Sequence, residues 1–254
     1  MNRVLAFARK LRPRKIATAL RRRWFEWRMP KLPRVPVEGL VSVGSTYGAY
    51  TVPGNHIRGG WLCYCVGTGA DVTFELELIG RWDARVRSFE AVPHYVDHVR
   101  SQVGDQPGLT VDQAALAGSD GPVRMQVTHV SGSQSASAAD LYDTDMYIEV
   151  PGRTLQSLMA EHGDSQIDLL KIDIEGLEYE LLPTLDLNSL GVKVLCVQLH
   201  HTASVRHAKR LLSLLETAGY ELVACAGVVK LTFVRNSLLQ GRDSTGAAAG
   251  GEVP

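Results

Sequence analysis

Asp168 to Glu178 reads DLLKIDIEGLE. The stretch begins as an apolar run, takes up charge at alternate positions (Lys171, Asp173, Glu175) and turns at Gly176. A short apolar run closed by a turn signal predicts a strand buried in a parallel sheet. Charges at the carboxyl end of such a strand stand at the rim where open α/β sheets hold their ligands. A plain strand end would carry scattered, solvated charges. Three on one side followed at once by glycine point to a site.

Outward from this strand, apolar runs alternate with helical patterns. Trp61 to Val66 predicts the first core strand, and it ends in Gly67-Thr68-Gly69-Ala70-Asp71. A helical pattern covers Val72 to Ile79, then a strand from Ala84 to Phe89 ends in Glu90, and Pro93 opens the next helix. A third strand is read at Leu109 to Ala115, with a turn over Gly118 to Gly121. Thr154 is placed to cap a helix. A fifth strand over Gly191 to Leu199 ends in His200-His201. A periodic helix over Val205 to Ala218 and two closing strands within Tyr220 to Val234 complete the body. Val41 to Pro53 reads as a strand or loop along the sheet edge. Residues 131–140, SGSQSASAAD, read as a mobile surface loop, a linker or a lid over the site. The alternation gives an α/β fold with an open, mostly parallel sheet.

Composition narrows the function. The 254 residues are 45% hydrophobic, enough for one large domain, and no apolar run is long enough to span a bilayer. The four cysteines, Cys63, Cys65, Cys196 and Cys225, form no zinc spacing and suit a reducing compartment. Charge is uneven. Residues 1–34 hold twelve Lys and Arg against one acid, which leaves fifteen bases and twenty-six acids in the rest of the chain. An acidic body argues against a nucleic-acid partner.

The basic end reads as two amphipathic helices broken at Pro13. Ile16, Leu20, Trp24 and Trp27 share one side among arginines. Such a segment fits the interface of an anionic membrane, and it fits equally a dock on the acidic body. It lacks the apolar core of a secretory signal, so the expected location is cytoplasmic, including the inner face of a membrane. Pro30, Pro33 and Pro36 form a linker.

The neighbours of the glycine turn select its ligand. A dinucleotide fold wants a third glycine where Val72 stands, and pyrophosphate would meet the carboxylate of Asp71. Asp71 suits a ligand ammonium, such as that of the methionine part of S-adenosylmethionine. Glu90, nineteen residues on, suits a ribose diol.

The segments VGTGADVTFELEL, VRSFEAVP and DLLKIDIEGLEYELLPTL resemble the FkbM-type family of S-adenosylmethionine-dependent methyltransferases, over roughly Val41 to Arg235. The resemblance implies a class I, Rossmann-like, mostly parallel seven-stranded sheet with helices on both faces and the last strand antiparallel. Together with composition it divides the chain into a basic extension and linker (1–36), a methyltransferase domain (37–236) and, from its Gly, Ala and Ser content, a disordered tail (237–254). It implies that Gly67, Gly69 and Asp71 line the methionine end of the cofactor and that Glu90 holds its ribose. Lys171, Asp173, Glu175 and Gly176 match the signature, and His200 matches a histidine common after the fifth strand. Two positions depart from the pattern: Glu-Ala-Val-Pro follows the second strand, and Gln198 stands where an acid is frequent.

The expected activity is O-methylation of a hydroxyl on a sugar, glycan, glycolipid or natural product. Asp173 or His200 would accept the hydroxyl proton. Lys171 would orient a carboxylate or the substrate oxygen, or form a structural ion pair. Glu175 and Gly176 would wall the acceptor site. Asp173, Glu175 and His200 also suit Mg²⁺ or Mn²⁺, although a metal is not expected. The alternative, motivated by Gln198, is a non-catalytic binding module on the same fold.

Overall fold

Alternation along Leu62–Val66 sends Leu62, Tyr64 and Val66 to one face of a sheet and Cys63 and Cys65 to the other, and all five are buried. A strand buried on both faces needs cover on both, which the two periodic helix sets supply. The computed structural model describes residues 20, 22–25, 27–28, 31–130, 133–137, 145–200, 204–226 and 229–240. In chain order, β1 (Leu40–Val43) and β2 (Tyr50–Pro53) form an antiparallel hairpin, separate from the main sheet. There follow β3 (Leu62–Val66), α1 (Thr73–Trp82), β4 (Arg85–Glu90), α2 (Pro93–Val103), β5 (Leu109–Gln113) and β6 (Ala115–Leu116). Next come β7 (Gly121–Val130), β8 (Ser133–Ser137), β9 (Tyr147–Arg153), α3 (Leu155–His162), β10 (Leu169–Ile172) and α4 (Glu178–Leu181). The chain closes with β11 (Val194–Gln198), α5 (Val205–Thr217), β12 (Tyr220–Ala226), β13 (Lys230–Arg235) and α6 (Asn236–Gln240).

The main sheet has seven strands in the order β12-β13-β11-β10-β3-β4-β5. Pairings from β11 to β5 are parallel, and β13 is antiparallel to both its neighbours. The chain runs outward from β3 through β4 to β5, then returns to β10 on the other side of β3. The crevice for a ligand therefore opens between the carboxyl ends of β3 and β10. One face carries α3 and α5 through Leu155, Leu158, Ala208, Leu211 and Leu215, and the other carries α1 and the β1–β2 hairpin through Phe74, Leu78, Val43 and Val52. Thr154 and Ser204 cap α3 and α5 by accepting from the amides of Ser157 and His207. All four cysteines are free thiols, three of them buried.

Two expectations need correction. Ser133–Ser137, read as part of a mobile loop, is a strand paired with β7. It belongs to a second, four-stranded sheet ordered β6-β9-β7-β8. Small polar residues hid this strand, because its partner β7 provides the ladder whatever the side chains are. Residues 131, 132 and 138–140 lie outside the described residues. Residues 237–240, read as disordered, belong to α6, whose Leu238 and Leu239 pack on the core; residues 241–254 lie outside the description.

The basic extension is described only from residue 20. Phe25 is buried at 1% exposure in the core, with Trp24 packed beside it, so this part docks on the body. Leu20 and Trp27 stay exposed, and Ile16 and Pro13 lie outside the described residues. The linker is tied down by the amide of Val35, which donates to the carbonyl of Leu222 at 2.9 Å. Among the described residues no helix is long and apolar enough to cross a membrane.

Gly67 sits at φ +80, and a Cβ there would overlap the carbonyl oxygen of Asp173. Gly69, at φ +63, has open space in the same direction. Gly67→Ala should cost more than about 3 kcal/mol, combining left-handed strain with a backbone clash. Gly69→Ala should cost about 1–2 kcal/mol, from strain alone. Urea unfolding of the two variants checks this; equal losses would contradict the close approach.

Candidate functional site

A cavity of about 510 Å³ opens at the carboxyl ends of β3, β4 and β10. Gly67, Gly69, Asp71, Glu90, Lys171, Asp173 and Glu175 all line it, so seven of the nine anticipated residues converge. Gly176, in the turn after β10, does not line it, and neither does His200, whose imidazole lies beside Asp173 and Glu175.

On the β3–β4 side, Glu90 is buried and its carboxylate meets backbone. The amide of Gly69 donates to Oε2 at 2.7 Å and that of Val92 to Oε1 at 2.8 Å. Burial pushes this carboxyl above its ordinary range, with the amide bonds working against the shift. Asp71 faces the hairpin. Ser45 donates to its Oδ2, and Thr73 donates through its hydroxyl at 2.6 Å and its amide at 3.1 Å to Oδ1. Burial raises the Asp71 carboxyl, but these bonds outweigh it and hold the group below the usual carboxylate value. The floor beyond is apolar, formed by Val92, Ala114, Ala115 and Leu116, with Val123 and Met125 from β7 of the second sheet.

On the β10 side the register decides which way charges point. Lys171 lies level with Cys65 of β3 and Cys196 of β11, on the face covered by α1. There its ammonium meets Glu75 at 3.0 Å, both side chains being almost wholly buried. Burial alone would lower the lysine; the Glu75 charge reverses that and holds it above its ordinary value. Glu75 was not anticipated as a site residue. Its signal was present, since it falls three and four residues before Leu78 and Ile79 on the core-facing stripe, where an acid needs a partner.

Asp173 follows, two residues along. Burial, augmented by the charges of Glu175 and Glu178 and opposed by His200 and Lys171, pushes its carboxyl up to about 6. His200 Nδ1–H donates to Glu178 Oε1 at 2.8 Å, while Nε2 lies 3.4 Å from Glu175 Oε2 and 3.7 Å from Asp173 Oδ1. Burial would lower this imidazole, but Glu178 and the two further carboxylates raise it to about 9. With no cation among these carboxylates His200 keeps its proton at neutral pH, which leaves Asp173 as the stronger candidate for accepting one.

The turn itself is held by Glu178. Its Oε1 accepts the amides of Ile174 at 3.1 Å and Gly176 at 3.3 Å. Glu175 adopts φ +52 and Gly176 φ +107, a tight reversal that a Cβ at 176 would resist. The hydroxyl of Ser137 donates to the Glu175 carbonyl at 2.6 Å, joining the second sheet to the signature. Lining residues that went unread include Tyr47, Tyr50, Gln198 as a wall group, and Lys230. Lys230 donates to the carbonyl of Tyr47 and lies over the rings of Tyr47 and Tyr50. No local pattern marks these residues, because they come from the hairpin, β11 and β13.

The buried Lys171–Glu75 pair makes a direct prediction. Lys171→Met alone should destabilise by about 3–5 kcal/mol by stranding the Glu75 charge, whereas Lys171→Met with Glu75→Leu should recover most of that loss. Denaturant unfolding of both variants decides it; a double variant as unstable as the single would refute the pairing as the cause.

Comparison with known proteins places this geometry. Residues 55–222 match the family described as Methyltransferase FkbM domain. No curated protein matches the chain in sequence. Among solved structures, the chain is similar to a precorrin-6y C5,15-methyltransferase from Geobacter metallireducens at 12% identity, covering 71% of this chain and 82% of that one, with a TM-score of 0.41. It is similar to a fibrillarin pre-rRNA processing protein of Methanococcus jannaschii at 9% identity, covering 71% and 68%, with a TM-score of 0.42. A human methyltransferase 10 domain containing protein shares 13% identity over 85% of this chain and 82% of its own, with a TM-score of 0.39. The family match spans most of the domain that carries the glycine turn, Glu90 and the KIDIEG signature, and the chain belongs to the FkbM family of S-adenosylmethionine-dependent methyltransferases.

Proposed function

We propose that the protein methylates a hydroxyl of a sugar, glycan, glycolipid or natural product. The observation that carries this reading is Asp173, a half-buried carboxylate on the wall of the cavity that the glycine turn and Glu90 also line. The residues present fit the donor. A carboxylate offers about four acceptor positions, so Glu90 keeps capacity for two ribose hydroxyls beyond its two backbone amides. Gly69 leaves open space beside it, and Asp71 presents negative charge to an ammonium. The apolar floor from Val92 to Leu116 suits a flat aromatic base.

When bound, S-adenosylmethionine supplies a methyl group on a sulfonium: its S–C bond breaks as the acceptor's O–C bond forms, leaving a neutral thioether. A hydroxyl oxygen attacks poorly while it keeps its proton, so a nearby acceptor for that proton is needed. Asp173 is placed to take it. Lys171, neutralised by Glu75, fixes the strand end that presents Asp173 and leaves the carboxylate its own charge. Holding the acceptor oxygen in line supplies much of the rate.

Exposed Leu20 and Trp27, with Lys31 over the Trp27 ring, support a peripheral membrane contact for the basic extension. Because Phe25 belongs to the core, a truncation would damage the fold, and Trp27→Ser is the cleaner probe. The full chain should sediment with anionic vesicles several-fold more than this variant. Equal sedimentation would remove the membrane contact.

For the transfer itself, Glu90→Gln should weaken donor binding by about 10–100-fold, from the loss of charge-assisted hydrogen bonds. Asp173→Asn should keep donor affinity within a few-fold and slow transfer by about 100–10,000-fold. Calorimetry with S-adenosylmethionine and labelled methyl transfer to glycan extracts read the two. Donor binding without transfer to any extract would favour the non-catalytic module; no donor binding would sink both readings.

A further inference from the structure

We propose that Asp173, Glu175 and His200 hold a divalent cation, Mg²⁺ or Mn²⁺, at the acceptor end of the cavity. One ligand atom from each of the three residues lies within 4.8 Å of the others. In an octahedral shell with ligands near 2.1 Å, neighbouring ligand atoms stand about 3 Å apart and opposite ones a little over 4 Å. The Nε2 of His200 is 3.4 Å from Glu175 and 3.7 Å from Asp173, and all three ligand atoms lie within 4.8 Å of one another, so rotation of the two carboxylates would bring them onto one side of such a shell.

The histidine is built for the task. Its Nδ1–H is committed to Glu178, which is fully buried and itself held by the amides of Ile174 and Gly176, and this commitment turns Nε2 toward the two carboxylates. A carboxylate behind the far nitrogen of a ligating histidine is the usual support of a metal site. The hydroxyl of Tyr179 donates to the His200 carbonyl at 2.9 Å and fixes its backbone. Gln198, on the cavity wall with its amide 3.1 Å from Nε2, places a carbonyl oxygen beside the same point once the amide is turned. Two carboxylates, an imidazole and an amide oxygen are a set for a hard to intermediate cation, and no cysteine is part of it.

Asp173, Glu175 and Glu178 gather around the His200 imidazole, and the Lys171 ammonium is matched by Glu75. Asp173 and Glu175 line the cavity, so the open positions of a cation held there face the ligand space. The inference rests on the transferase reading for its role: the cation would bind the acceptor oxygen and weaken its O–H bond. The proton would pass to the second oxygen of Asp173, which the cation does not use.

The test uses the full chain, stripped of metal, with Mn²⁺ as probe and free Mn²⁺ followed by electron paramagnetic resonance. One Mn²⁺ per chain should bind in the micromolar range and be displaced by Mg²⁺. Glu175→Gln, on the partly exposed turn, should weaken binding at least tenfold, and Glu178→Gln about 10–100-fold through His200. The urea unfolding midpoint of Glu175→Gln should match that of the parent chain, which shows that the variant is folded. No saturable binding below millimolar Mn²⁺, or binding indifferent to Glu175→Gln, would make the cluster an ion-pair network and overturn the proposal. Donor and acceptor are absent from the Mn²⁺ titration. Its failure would leave the transferase reading standing, and a chain that takes Mn²⁺ but no methyl donor would fail that reading alone.

Discussion

The site depends on how closely two parallel strands end beside each other. At the switch point the amide of Asp173 donates to the Val66 carbonyl at 3.0 Å, and the amide of Gly67 donates to Phe89 at 2.9 Å. The Asp173 carbonyl then fills the space where any Cβ on residue 67 would go. Glycine is required there by a neighbouring backbone, in addition to its positive φ. This contact brings the glycine turn and the KIDIEG signature into one crevice. Everything that reads as chemistry, from Glu90 on one side to Asp173 on the other, is measured from it.

Around that junction the protein solves one electrostatic problem several times. A charge taken out of water must meet a partner or titrate. Glu90 is met by backbone amides, Lys171 by Glu75, and His200 by Glu178. Each solution also orients the group. The Glu90 carboxylate is fixed against the turn, Lys171 is drawn toward α1, and the imidazole is turned so that one nitrogen faces Asp173 and Glu175. Asp173 is the least fully matched of the set, and a proton-accepting or cation-binding group has to be so.

The second sheet and the hairpin give the cavity its remaining walls. Val123 and Met125 close the apolar side, while Tyr47, Tyr50 and Lys230 close the polar side. Ser137, on a strand that looked like a loop, reaches the Glu175 carbonyl. This part of the cavity wall is thus assembled from segments distant in the chain.

What the sequence determined by itself was local and periodic. The buried parallel strands followed from apolar runs closed by glycine. Gly67, Gly69, Asp71 and Glu90 were legible as cavity residues because they lie at strand ends, and the family likeness followed from the KIDIEG signature. These signals survive in one dimension because a strand and its following turn are contiguous. Tertiary structure alone decided the rest. Whether Lys171 served substrate or structure depended on Glu75, ninety-six residues away and reached only because β10 and α1 share a face. Whether His200 or Asp173 could take a proton depended on which carboxylates crowd the imidazole. The pairing of Ser133–Ser137 with β7 depended on a neighbouring ladder and not on its own propensity. Burial and charge matching are set by neighbours in space, and a single chain read end to end does not list those neighbours.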